Sequence, residues 1–413
     1  MLGGGTRAGL ATARPWCPCY DTPVGTPAAD LSAWIPRLLA TWRASRRTQR
    51  RGGPRPPPDA LLPDELREVA AAVTRLSTGL TRERELAGAR YLDDERLLGA
   101  YLLFYWPISY LQARGVLSEL PRRPRSVLDL GSGPGPLAFA ALDAGAGEVT
   151  ACDRAKQALT AARELARLAG ARLTTRDWNP THGTPLAALA GGAPPDLISL
   201  GHVINELWKG EGAEEKRAAL LEEAAQALAP GGSLVVIEPA LRDTSRALLR
   251  VRDLLVARGF AVRAPCLFRG ACPALSRESD WCHAERSIDP PALVAQVGKA
   301  AGLRKEAVKM SYLVLAPPGE PWAAPPPGLV FRIVSEPLAG KGRLRYMGCG
   351  PDGRKGLALQ EKHVGEANRR FERLRRGDVV MLEGTEPRGD GVALGAGSRV
   401  TVVAEAGRPV SAG

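Results

Sequence analysis

The chain has 413 residues, 45% hydrophobic, 24% charged and only 5% aromatic, which suits two or three folded domains of about 100–200 residues each. No run of about 18 apolar residues occurs, which argues against a membrane span, and an odd count of seven cysteines without an apolar leader argues against a secreted disulfide scaffold. The net charge of +12 collects at the ends, with nine Arg against three acids in 1–60 and 15 Lys or Arg against ten acids in 327–413, so a polyanionic partner is expected there.

Residues 1–58 end in "RRTQRRGGPRPPPDA" and are expected to form a basic, Pro-rich, disordered arm. Trp34 and Trp42 mark a short helix at 28–47 within it. The first 20 residues are Arg- and Ala-bearing and acid-poor. The expected location is cytoplasmic, with the mitochondrial matrix as the alternative. From Pro63 the pattern turns helical, and 59–122 is expected to be a helical cap. Its segment Leu102–Tyr110 is too apolar for a surface helix, and Pro107 should kink or divide it.

Residues 123–262 alternate strand and helix. "SVLDLGS" (126–132), "EVTACD" (148–153), "ARLTTRDW", "PDLISLGHVINEL" (195–207) and "SLVVIEPA" (233–240) read as five apolar strands with helices between them. That alternation predicts a parallel sheet covered on both faces. Residues 263–317 hold a cysteine-bearing loop, one helix and one strand. After a Pro-rich linker, 327–407 holds short β runs separated by turns, with one helical stretch, "GEANRRFERLRRG". A small basic β-barrel of OB-like shape is expected there.

"DLGSGPG" (129–135) ends the first strand and opens a helix. Glycines at 131, 133 and 135 allow positive φ and close approach of a ligand. The spacing is not the G-x-G-x-x-G of dinucleotide sites. Asp153 ends the second strand 24 residues after Asp129, where a carboxylate can hold ribose hydroxyls. Asp177 and Trp178 end the third, where an adenine could sit. Asp129, Gly131, Ser132, Gly133, Gly135, Asp153, Asp177 and Trp178 are therefore candidate binders of S-adenosyl-L-methionine, and this part resembles the class I, Rossmann-like methyltransferase fold. No methyl-acceptor motif is recognisable after strand four. His202 and Glu206 are placed to act as bases, though a buried polar pair or helix cap is the plainer reading. Cys266 stands in an Ala-Pro-Cys, but beyond strand five, where it would not face a methyl donor.

Cys266, Cys272 and Cys282 stand with five and nine residues between them in a polar, proline-punctuated loop, whereas Cys152 sits singly in an apolar run. Three loop thiols suggest metal ligands. Cys349, between Gly348 and Gly350 in an expected turn, is the candidate fourth, since the amides beside it could point at its sulfur. Cys17 and Cys19 are the rival pair, and His283 adjoins Cys282. Four thiolates suit tetrahedral zinc or a [4Fe–4S] cluster. None of the four is paired at the short spacing usual for structural zinc, which leans toward iron–sulfur.

"YLDDERLLGAYLLFYWPISY", "LDLGSGPG", "APC…CP…DWCH", "SYLVLA" and a later Cys in a basic β domain together resemble the Rsm-twenty-two-type family over about 60–405. These are methyltransferase-like proteins of the small ribosomal subunit, with mitochondrial and bacterial members. The resemblance implies binding to small-subunit ribosomal RNA during assembly, a [4Fe–4S] cluster on Cys266, Cys272, Cys282 and Cys349, and a methyltransferase domain whose turnover stays open. Leu267–Phe268 stand where the family commonly has Pro-His after the first cysteine. The expected partner is the small subunit or its RNA, with no membrane and a monomer off the ribosome. The alternatives are an active RNA methyltransferase and a small-molecule methyltransferase with a zinc site.

Overall fold

The computed structural model describes residues 27–46, 56–322 and 326–410. Helices α1 (Pro27–Ser45), α2 (Pro63–Ser77), α3 (Glu95–Ala100) and α4 (Trp106–Leu117) form the cap. Asp94 opens α3 by accepting the amides of Arg96 and Leu97 at 2.9 and 3.1 Å, the usual remedy for unpaired N-terminal donors. A π turn, Tyr101–Tyr105, separates α3 from α4. Pro107 has no amide to bond one turn back, and the widened turn before it absorbs that loss. The break expected at Pro107 is thus a π turn followed by a new helix start.

The disordered arm expected over 1–58 is corrected for residues 27–46. Leu31, Trp34, Leu38 and Trp42 follow a helical spacing, and all four are buried. Burying each such side chain contributes about 1.5–3 kcal/mol, enough to hold the short helix against the cap. Cys17 and Cys19 lie outside the described residues.

The α/β body contains β1 (Ser126–Leu130), α5 (Pro136–Asp143), β2 (Glu148–Asp153), α6 (Lys156–Ala169), β3 (Thr174–Asp177), α7 (Leu186–Leu189), β4 (Leu197–Gly201), α8 (Ala213–Gln226), β5 (Ser233–Pro239), α9 (Arg242–Ala257), β6 (Ala261–Ala264), β7 (Ala284–Ser287), α10 (Ala292–Ala300) and β8 (Ala307–Ala316). The sheet order is β3-β2-β1-β4-β5-β8-β6, with β7 also paired to β8. Strands β1 to β5 are parallel, and β8 runs antiparallel to β5, β6 and β7. One core joins α1, the cap, α5 and α6 to one face of the sheet. A second joins α8 and α9 to the other face. Trp34 extends the first core, its Nε1–H donating to Asp143 at 2.7 Å.

The last body contains β9 (Leu329–Ile333), β10 (Leu338–Gly340), β11 (Arg343–Gly350), β12 (Gly353–Gln360), β13 (Val379–Arg388) and β14 (Gly391–Ala404). Its order is β10-β11-β12-β14-β13-β9, and β9 pairs again with β11, so five strands close on themselves. β12 and β14 are the parallel neighbours. The helical stretch expected at "GEANRRFERLRRG" is a 3-10 turn over Arg369–Arg373. Phe371 and Leu374, three apart, plug the barrel core, and that spacing fits three residues per turn.

A buried ion cluster joins all three bodies. Glu119, just after α4 and with its side chain 1% exposed, accepts Arg286 of β7 at 3.1 Å, the Tyr312 hydroxyl of β8 at 2.7 Å and Arg332 of β9 at 3.1 Å.

Candidate functional site

The glycine loop leaves β1 as expected. Gly131, Gly133 and Gly135 have φ of +69°, +53° and +83°, which glycine adopts at little cost. A Cβ on Gly131 would also collide with Val203, from the turn after β4. The amide of Ser132 donates to the Cys152 carbonyl at 2.9 Å, tying the loop to β2. Asp153 accepts the Gly133 amide on one oxygen and the Ala155 amide on the other, both at 2.7 Å. It thus braces the loop and the start of α6, and each oxygen keeps a second lone pair. Burial raises its pKa despite those bonds. Asp129 is buried, accepts the Ser199 hydroxyl at 2.7 Å, and is pushed up to about 7 by burial. Asp177 is exposed at the end of β3, whereas Trp178 is 4% exposed within the second core.

His202 and Glu206 lie in the turn after β4. His202 holds φ +61°, an uncommon angle for a residue with a Cβ. Gln112 donates its amide to the Lys309 carbonyl, which leaves its oxygen to accept His202 Nε2–H at 2.9 Å. That chain fixes the ring as a neutral tautomer, and burial lowers its pKa to about 4. Glu206 accepts the Gly88 amide at 3.3 Å and the Tyr91 hydroxyl at 3.5 Å, and burial raises it to about 7. Glu238, at the end of β5, accepts the amides of Ile204 and Asn205 at 3.0 and 3.4 Å and is raised to about 8 by burial. The sequence reading missed Glu238, whose only signal is a carboxylate closing an apolar strand. A cavity of about 520 Å³ opens between the cap and the ends of β4 and β5.

Cys266, Cys272, Cys282 and Cys349 line one cavity of about 70 Å³ between the cysteine loop and the barrel. As placed, no group of three or more His, Cys, Asp or Glu among the described residues could hold a metal ion. Burial first, and neighbouring thiols second, raise Cys272 to about 12 and Cys282 to about 11, with Cys349 raised further. Arg286, Arg332, Arg354 and Arg376 also line the space. The Nε atoms of Arg286, Arg332 and Arg354 are buried without a hydrogen-bond partner, as is His283 Nδ1. The charges of Arg354, Arg376 and Arg332 pull the Cys282 thiol the other way without overcoming burial.

Helix α9, which the sequence reading passed over, pins the loop that carries three of these cysteines. Asp253 accepts the Cys272 amide at 2.9 Å. Buried Arg252 donates to the Phe268 carbonyl at 2.5 Å and to that of Gly270. Arg246 collects the carbonyls of Ala274, Arg277 and Asp280 at 3.1, 2.7 and 2.6 Å. From the barrel, Arg354 reaches Asp280 at 3.2 Å.

The turn expected around Cys349 is corrected. Residues 348–350 are strand β11, with Cys349 in register with Arg332 of β9 and Arg354 of β12. Gly348 is glycine because a Cβ there would stand 2.9 Å from both Leu357 Cδ1 and Phe331 Cβ. The glycines therefore let the barrel close and are not a turn that frees amides for sulfur.

The chain is 34% identical over 212 residues to the release factor glutamine methyltransferase of Deinococcus radiodurans, covering 45% of this chain and 72% of that one. It is 31% identical over 174 residues to the ribosomal protein L11 methyltransferase of Syntrophotalea carbinolica, covering 41% of this chain and about half, 46%, of that one. Similar solved structures include the ribosomal protein L11 methylase of Lactobacillus delbrueckii subsp. bulgaricus, at 17% identity and TM-score 0.31, covering 51% of this chain and 78% of that one. Another is an O-methyltransferase family protein of Burkholderia thailandensis, at 20% and 0.36, covering 62% and 74%. Among the described residues no helix is long and apolar enough to cross a membrane. The family model described as mitochondrial small ribosomal subunit Rsm22 matches residues 99–381, and the chain belongs to that methyltransferase-like family.

Proposed function

We propose that this protein binds small-subunit ribosomal RNA through its barrel and supports ribosome assembly, and that an iron–sulfur cluster ties the barrel to the methyltransferase-like body. The observation that carries this reading is the meeting of four thiols from two bodies round one cavity. Zinc, bonded at 2.3 Å, would draw four sulfurs to about 3.8 Å of one another. As placed, no three of them could share a single metal ion, which favours a larger inorganic group. Cys266, Cys272, Cys282 and Cys349 would hold a [4Fe–4S] cluster, which supplies iron–thiolate bonds between segments that sequence places far apart. The chain's own part is to preset those segments. Asp253 and Arg252 fix the loop, Cys349 brings in β11, and the arginines offset negative charge.

The barrel order β9-β11-β12-β14-β13, with β12 parallel to β14, supports an OB-like reading. Arg345, Arg369 and Arg373 are exposed on it, and exposed cations on such a barrel suit single-stranded phosphate backbone. The mitochondrial wording of the family description fits the matrix location.

Asp129, Gly131, Ser132, Gly133, Gly135 and Asp153 would hold S-adenosylmethionine, which supplies an activated methyl group, with exposed Asp177 at the border. Trp178 is core and supports β3 instead. An active RNA methyltransferase is the second reading, favoured by the cavity at the ends of β4 and β5.

Anaerobic purification with iron and sulfide analysis tests the centre. About four irons and four sulfides per chain, lost in Cys349→Ser, are expected. Iron-free protein with all four thiols titratable would sink the cluster. Calorimetry with S-adenosylmethionine tests the loop, and equal binding by Asp153→Ala would remove Asp153 from it.

A further inference from the structure

The cavity beneath the cap has three kinds of wall. Tyr91, Tyr101 and Tyr105 form one side, and each is half-buried. The rings of Tyr101 and Tyr105 lie 6.2 Å apart at 26°. The floor is the end of β4 and β5, with His202, Glu206 and Pro239. Arg84, Arg304, Lys305 and Lys309 add positive charge, against Glu285 and Glu306. Lys309 spends part of its charge on Glu285 at 3.1 Å. Burial and the charge of Lys309 lower the pKa of Lys305.

The location is informative. In open α/β sheets ligands bind at the carboxyl ends of strands where the order reverses, here beside β1 and β4. Leu92, next to Tyr91, would stand 3.4 Å from a Cβ on Gly133, so the tyrosine wall adjoins the glycine loop. The other side adjoins the barrel. Glu285 and Lys309 are register partners in β7 and β8, and the next residue, Arg286, donates to the Arg376 carbonyl at 3.3 Å. The cationic edge of the cavity thus lies one residue from a contact with the barrel.

We propose that this cavity receives one nucleotide turned out of a single-stranded RNA, with its base against the tyrosines and its flanking phosphates on Arg304, Lys305 and Lys309. The proposal rests on the RNA-binding reading above and adds a base site to it. Single-stranded RNA is read by stacking unpaired bases on aromatic rings, and turning a base out costs least where it is unpaired. A volume of about 520 Å³ lies within the range of small-molecule sites. A peptide side chain would use the tyrosines but would leave the cations without phosphates.

The test uses the full chain and a short oligoribonucleotide carrying 5′ fluorescein and a central 2-aminopurine. Anisotropy reads total binding, and 2-aminopurine intensity reads the environment of the base. Binding with a change in 2-aminopurine intensity is expected. Tyr101→Leu abolishes that change and weakens binding about tenfold. Lys309→Gln, at an exposed position and without a like charge opposite Glu285, also reduces it. Arg345→Glu on the barrel weakens binding but leaves the intensity of the bound probe unchanged. A bound oligonucleotide with unaltered 2-aminopurine, or an alteration that survives both cavity variants, overturns the base site alone. Absence of oligonucleotide binding overturns the base site together with the RNA-binding reading. Competition by a glutamine-containing peptide but not by nucleoside monophosphates assigns the cavity to a protein substrate and overturns the proposal.

Discussion

Removing Glu119 should loosen the joint between the barrel and the rest of the chain. Its carboxylate is 1% exposed, and the Arg332 and Arg286 side chains that it binds are 7% and 15% exposed. Glu119→Ala leaves two largely buried guanidiniums facing each other with no counter-charge, and strands the Tyr312 hydroxyl. Breaking a buried pair by deleting one partner costs about 3–5 kcal/mol, and the orphaned hydroxyl adds to this, though not additively. That is a large part of a typical total stability of about 5–15 kcal/mol. All eight tryptophans precede residue 323, so tryptophan fluorescence in urea reports the body outside the barrel, while chymotryptic cleavage after Trp322 in the 317–328 linker reports release of the barrel. Glu119→Ala should lower the urea midpoint and speed that cleavage. The double variant Glu119→Ala/Arg332→Met should recover part of the loss, because it removes one of the two uncompensated charges. A change below about 1 kcal/mol in the single variant, or a double variant no better than the single, would refute a charge clamp at this joint.

Other consequences concern the strands, the loop and pH. Gly348→Ala should destabilise the barrel by about 1–3 kcal/mol through overpacking against Phe331, measured by urea unfolding with a barrel-selective probe, and an unchanged midpoint would contradict the closure argument. Arg252→Leu should free the Phe268 and Gly270 carbonyls and lower iron content per chain, with far-UV circular dichroism preserved. Full iron loading in that variant would show that α9 does not preset the cysteine loop. Glu238 has a folded pKa of about 8, raised by burial from 4.5. Below about pH 4.5 both states are protonated, and as pH rises toward 8 the unfolded state ionises first, so this group's contribution to stability falls across that window. Glu238→Gln should flatten the slope by a margin on the order of a few kcal/mol, and parallel curves for variant and parent between pH 5 and 8 would exclude it.

What the sequence disclosed and what it hid follow from how far each interaction reaches along the chain. The first five strands and the glycine loop were legible because period, turn residues and strand-end acids are local signals, and β2 and β5 lie within a residue of their expected bounds and β1 within two. Helix α9 was not, because "RDTSRALLRVRDLLVA" carries four arginines and two aspartates that mask its apolar stripe. Arg252 turns inward to bond carbonyls that become neighbours only in the folded chain. The glycines beside Cys349 looked like a turn, since a strand rarely tolerates two; their reason is Phe331 on the neighbouring strand β9. Glu119 gives no signal at all, because its three partners stand 167, 193 and 213 residues away. The cysteines fall between these cases. Their residue type announced a shared centre, but only β11 pairing with β9 puts Cys349 beside the loop. The glycine loop can therefore be read from sequence, while the joint on which the thiol centre depends is set by contacts between bodies. Substitutions at Glu119 and Arg332 should accordingly disturb iron loading before they disturb the glycine loop, an order that iron content and S-adenosylmethionine calorimetry on the same variants would reveal.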